Sequence, residues 1–140
     1  MNGEQLKVFQ WLIEADQHHR KTNDVQCIVY DKAISNGWNA SKEYPAPYGG
    51  TGKFRNGRVD LMLCKGDQRF AIEIDDYTVK EKSIFKLRTL DAYRIGAVMR
   101  GDVTEIPRGL DAVLSIATMT VITKEDGEIS FYTDEEATNA

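Results

Sequence analysis

GRVDLMLCKGDQRFAIEID, residues 57–75, alternates apolar and polar residues on both sides of Gly66-Asp67. Gly-Asp suits the centre of a two-residue hairpin turn. With those two residues as the loop, Val59 faces Ile74, Leu61 faces Ile72 and Leu63 faces Phe70, all on one face of the sheet. Arg58–Asp75, Asp60–Glu73, Met62–Ala71 and Cys64–Arg69 fall on the other. A one-residue slip would carry polar groups into the core, so the pattern predicts the register as well as the hairpin.

Upstream, residues 4–20 read as a helix, with Leu6, Phe9 and Ile13 at spacings of three and four and Trp11 and Leu12 widening the stripe. A second helix is expected from an Asp24 N-cap to about Ser35, burying Val25, Ile28 and Val29 and stopping at Gly37. WNASKEYPAP (38–47) predicts a short strand that Pro45 and Pro47 end or push to an edge. A glycine-rich basic loop, YGGTGKFRNG (48–57), leads into the hairpin.

Downstream, TVKEKSIFKLRTLDAYRIG predicts a helix from about Val79 to Ile95, with Ile84, Leu87 and Leu90 inward and Gly96 ending it. AVMR (97–100) follows as a short buried strand, and residues 109–116 as another short helix. IATMTVIT and EISFYT, joined by KEDG, read as a second hairpin with Gly127 in the turn. Residues 1–133 are expected to form one domain, and the acidic tail DEEATNA (134–140) to be disordered.

At 41% hydrophobic and 29% charged residues, the composition is that of an ordinary soluble domain, and no apolar run is long enough for a membrane helix. The N-terminal stretch lacks the layout of a secretory signal, and Cys27 and Cys64 are too few for a disulfide framework or a zinc site. A cytoplasmic, reduced protein with no membrane partner is the expectation. Net charge is −4, yet residues 51–100 carry 11 Lys/Arg against 7 Asp/Glu, which leaves the remainder at −8. A basic middle between acidic ends fits either a phosphate-binding face or an ordinary solvated charge pattern.

Asp60 and Glu73, directly opposite on antiparallel strands, would have Cα atoms roughly 4.5–5.5 Å apart. Two like charges there repel, and a divalent cation such as Mg²⁺ or Mn²⁺ would offset this. The other reading puts the pair on a solvent face with Arg58 and Arg69 as counter-charges. In the loop before Asp60, Lys53, Arg55 and Arg58 suit phosphate contacts. GGTGKF lacks the spacing and the hydroxyl residue of a P-loop. His18-His19 point to different sides of a helix and make a poor chelate.

The order of helix, strand, Asp on one hairpin arm, Glu-x-Asp on the other, then a basic helix and a short strand resembles the core of the PD-(D/E)XK nucleases. GRVD (57–60), AIEID (71–75), KEKSIFKLR (80–88) and AVMRG (97–101) carry the likeness, over about residues 38–101. The resemblance implies an α/β restriction-endonuclease-like fold, a central mixed β-sheet flanked by helices. It implies an Mg²⁺- or Mn²⁺-dependent endonuclease acting on DNA, often as a homodimer, with Asp60, Glu73 and the Ile74 carbonyl as metal ligands. Lys80 and Arg88 join Lys53, Arg55 and Arg58 as nucleic-acid-binding residues.

One departure is plain: Asp75 stands where the family has its lysine. In some members that lysine comes from the following helix, which here offers Lys82 and Lys86 on one face and Lys80 at its start. Asp75 itself reads either as a further catalytic metal ligand or as the cross-strand partner of Arg58. Glu14 is a candidate for the first-helix acid some members carry. Two other classes compete with the nuclease. One is an inactive nuclease-like fold that binds DNA or a protein, favoured by Asp75 and the acidic overall charge. The other is a helix-turn-helix reader, disfavoured because residues 24–36 hold Lys32 alone as a cation.

Overall fold

The computed structural model describes residues 1–15, 21–49 and 54–131. Two helices, α1 (Gly3–Ala15) and α2 (Thr22–Ser35), come first, and strand β1 (Asn39–Pro45) follows. A small two-stranded ribbon, β2 (Tyr48–Gly49) with β3 (Phe54–Arg55), precedes the hairpin of β4 (Arg58–Lys65) and β5 (Gln68–Asp75). Helix α3 (Glu81–Arg88) leads to β6 (Tyr93–Val98), β7 (Ala112–Ser115), β8 (Thr120–Thr123) and β9 (Gly127–Ser130).

The chain is α/β, with a seven-stranded mixed sheet ordered β1-β4-β5-β6-β7-β8-β9. β5, β6 and β7 run parallel to one another; all other neighbours are antiparallel. One face packs against α1 and α2, where Val8, Phe9, Leu12, Val25 and Val29 meet Leu61, Leu63, Phe70, Ile72, Ile95 and Leu114. Trp11 and Trp38 meet edge to face there, with ring centroids 4.9 Å apart. The other face buries Met62, Ala71 and Val113 with Leu87 of α3 and Leu110.

The β4–β5 register matches the alternation: Leu61 faces Ile72, Met62 faces Ala71, Leu63 faces Phe70 and Cys64 faces Arg69. Gly66 holds the first turn position at φ 58°, a region glycine enters without a steric penalty. β1 lies at the sheet edge and ends at Pro45, and Gly37 follows α2 with φ 80°. The β8–β9 hairpin turns through residues 124–126, so Gly127, expected in the turn, is instead the first residue of β9, paired with Thr123, and the strand expected from Ile116 begins only at Thr120.

Several expectations are corrected. Leu6 is 38% exposed, because α1 turns Val8, Phe9 and Leu12 inward instead. Asp24 is not the N-cap of α2: Lys21 is, and Asp24, three residues on, accepts a hydrogen bond from the Lys21 amide at 3.0 Å. The helix expected over 79–95 spans only Glu81–Arg88. Past Thr89 the chain turns, and Arg94 satisfies three carbonyls, those of Arg88, Leu90 and Gly109. Gly96 ends no helix. It sits inside β6, where a Cβ would lie 3.0 Å from Val79 and 3.2 Å from Leu110.

Residues 112–115 form a strand instead of a helix. All four are buried, and a strand covered on both faces loses the alternation that would identify it. Val98 ends β6, so the strand expected over 97–100 begins earlier and stops sooner. His18, His19, Lys53 and the tail 134–140 lie outside the described residues. Among the described residues no helix is long and apolar enough to cross a membrane.

Candidate functional site

The β4–β5 ladder runs from the Lys65–Gln68 pair to the Leu61–Ile72 pair, and beyond it side chains take over from the main chain. The Asp60 amide donates to Glu73 Oε1 at 2.9 Å, and the Ile74 amide donates to Asp60 Oδ2 at 2.7 Å. Each carboxylate therefore ties down the opposite strand. Asp60 and Glu73 come together as the sequence predicts, but Val59 and Ile74 do not. Val59 packs toward Met62 and Leu87 under α3, and Ile74 joins the core under α1 and α2.

The solvent-face reading does not hold. Glu73 is 4% exposed and Asp60 half-buried, on the face that α3 covers. Arg69 donates to the Asp91 carbonyl and the Tyr44 hydroxyl, and is not a counter-charge for the pair. That charge comes from Lys86 on α3. Its Nζ lies 3.0 Å from Glu73 Oε2 and donates to the Arg58 carbonyl at 2.9 Å. Gly57 leaves room for the lysine stem: a Cβ there would lie 2.9 Å from Lys86 Cδ and 2.7 Å from the Ala46 carbonyl oxygen.

Burial raises the Asp60 carboxyl to about 7, and the neighbouring Glu73 and Glu43 charges push the same way against the Ile74 amide and Lys86. Burial also raises Glu73, opposed by Lys86, the Ser83 hydroxyl and the Asp60 amide. Asp60 Oδ1 has no hydrogen-bond partner among the described residues. Among those residues no group of three or more His, Cys, Asp or Glu is placed to hold a metal ion. The site instead offers a close pair of acids, and Mg²⁺ is commonly held by one or two carboxylates together with water and phosphate oxygens.

Asp75, 8% exposed, does not meet Arg58. Its Oδ2 accepts from the Lys80 amide at 3.0 Å and lies 2.8 Å from Ser83 Oγ, which is also 3.0 Å from Glu73 Oε2. Beside Lys86 a cleft of about 550 Å³ is lined by Tyr48, Arg55, Asn56, Gly57, Arg58, Lys82 and Lys86, four cations with no acid. Lys80 lines a second cleft of about 330 Å³, with Lys21, Thr22, Ile74, Asp75, Asp76 and Arg100. Arg88 lies outside both, at the far end of α3 against Gly109. Glu14 is exposed on α1.

Three neighbours of the site escaped the sequence reading. Gln26 of α2, 4% exposed, donates to the Asp60 carbonyl at 2.9 Å and to Glu43 Oε1 at 3.2 Å. Glu43, between the Lys42–Leu61 and Tyr44–Val59 pairs of the edge strand, has φ 54°. Ser83 was detectable, one helical turn before Lys86; Gln26 and Glu43 carried no local signal.

The fold and site define an α/β protein with a buried and a half-buried acid and a lysine at one end of a mixed sheet. No family model matches the chain, and no curated protein matches it.

Proposed function

We propose that the protein is a metal-dependent nuclease that hydrolyses DNA phosphodiester bonds on a restriction-endonuclease-like core. Asp60 and Glu73 hold Mg²⁺ or Mn²⁺, the Ile74 carbonyl completes the protein ligands, and Lys86 takes the role of the motif lysine. The observation that carries this reading is the 3.0 Å approach of Lys86 Nζ to Glu73 Oε2 from the helix after the hairpin. When bound, the ion supplies a Lewis acid for a phosphoryl oxygen and lowers the pKa of a bound water. Lys86 stabilises charge developing on the phosphate. Arg55, Arg58 and Lys82 hold flanking phosphates in the cationic cleft, and contacts of that kind set position without reading sequence.

The second reading is a nuclease-like fold that binds DNA or a protein without cutting. It is favoured by Asp75 at the usual lysine position and by the net charge of −4. Incubation with plasmid, linear and branched DNA in Mg²⁺, Mn²⁺ or EDTA separates the two. Cleavage that needs metal and is lost in Asp60→Asn and Glu73→Gln supports the nuclease. DNA binding with no cleavage in any metal supports the binding module.

A further inference from the structure

We propose that Asp75 is a positioning residue, acting through Ser83 to fix α3 so that Lys86 reaches Glu73, and that it is not a metal ligand. The inference rests on the nuclease reading for its catalytic consequence, but its geometry stands on the contacts alone. Asp75 Oδ2 faces inward to α3: it accepts from the Lys80 amide at the helix N-cap and meets Ser83 Oγ at 2.8 Å. Ser83 is 3% exposed, and its single hydroxyl hydrogen is shared between Asp75 Oδ2 and Glu73 Oε2. Lys86, three residues on, lies on the same helix face and meets the same Glu73 oxygen.

Two carboxylates of β5 thus grip α3 at Lys80, Ser83 and Lys86. α3 is only eight residues long, too short to hold its shape without tertiary contacts. A lysine two residues after Glu73 would remove the acceptor that anchors the helix start. An aspartate there supplies it, and the cation comes from Lys86 instead. Asp75 and Lys86 are in this sense one exchange, with Ser83 as the link between them.

The test measures amine-reactive labelling of Lys86 against Lys82 by mass spectrometry in the full chain, alongside Mn²⁺ affinity and single-turnover DNA cleavage. Ser83→Ala and Asp75→Ala should raise Lys86 labelling several-fold with Lys82 unchanged. Asp75→Asn, whose carbonyl oxygen still accepts both hydrogen bonds, should restore the wild-type pattern and leave Mn²⁺ affinity unchanged. Ser83→Ala should slow cleavage about 10–100-fold, the scale expected when a reacting group is displaced by about 1 Å. In a Lys86→Met background the same substitution should cost nothing further.

Unchanged Lys86 labelling in Ser83→Ala overturns the proposal. So does a tenfold or greater loss of Mn²⁺ affinity in Asp75→Asn, which would make Asp75 a ligand, or a full additional loss of rate on top of Lys86→Met. A wild-type protein that cuts no DNA defeats the nuclease reading separately, since the labelling result needs no catalysis.

Discussion

Lys86 Nζ and Glu73 Oε2, thirteen residues apart in the chain, lie 3.0 Å apart beneath a helix that leaves Glu73 only 4% exposed. The lysine is the positive charge compensating that buried acid, and in the proposed nuclease it is also the cation that stabilises the phosphate. Lys86→Met should therefore act twice. Cleavage should fall about 10²–10³-fold, as for loss of one donor to developing charge. Stability should fall as well, by up to about 3–5 kcal/mol, the cost of leaving a buried charge unpaired. Single-turnover kinetics and urea denaturation measure the two effects separately.

Gly57→Ala tests the floor of the same contact. The added methyl would sit 2.7 Å from the Ala46 carbonyl oxygen, 2.8 Å from Tyr48 Cδ1 and 2.9 Å from Lys86 Cδ. Moving the lysine stem relieves only the last of these contacts, so the backbone carrying the Ala46 carbonyl is expected to shift as well. A loss of about 1–3 kcal/mol is expected, with reduced cleavage at unchanged Mn²⁺ affinity. Equilibrium denaturation and metal titration of the variant check both.

Asp60 contributes to the pH dependence of the metal-free protein, alongside Glu73, which burial also raises. The Asp60 carboxyl is held up at about 7 in the folded chain, against roughly 4 when unfolded. Between those values the folded state binds more protons than the unfolded state, so stability falls as pH rises through the interval. In EDTA, the urea midpoint of the wild type should drop between about pH 4 and about pH 7. Asp60→Asn should flatten that drop. Glu43→Gln, by removing a charge that raises Asp60, should shift it to lower pH.

Gln26 makes the shared brace behind the acids, donating to the Asp60 carbonyl and to Glu43 from a buried position. Gln26→Ala should cost about 1–3 kcal/mol, the penalty for stranding a buried acceptor. Urea denaturation reads the loss directly.

The hairpin was legible because its residues alternate with period two and any slip would bury charge; Leu61, Leu63, Phe70 and Ile72 all sit where that alternation puts them. Asp60 and Glu73, next beyond the last ladder pair, were placed near each other by that register, although the ladder itself stops at Leu61–Ile72. Their exchange of amides did not follow from it, because a carboxylate replacing a ladder carbonyl leaves no mark on the apolar pattern. Lys86 was one of two lysines on one helix face, and only packing against Gly57 and Glu73 separates it from Lys82. β6 and β7 were misread where burial on both faces removed the alternation, and Leu87 and Leu90 carried a helical spacing past the true end of α3. Gln26 and Glu43 reach the site from other elements, by contacts that local spacing does not encode.

Calorimetric titration of Mn²⁺ into the wild type, Asp60→Asn and Glu73→Gln tests the proposed centre most directly. One ion per chain is expected for the wild type, with binding weakened at least tenfold in each variant. Wild-type affinity in both variants would contradict the assignment of these two acids as the metal site.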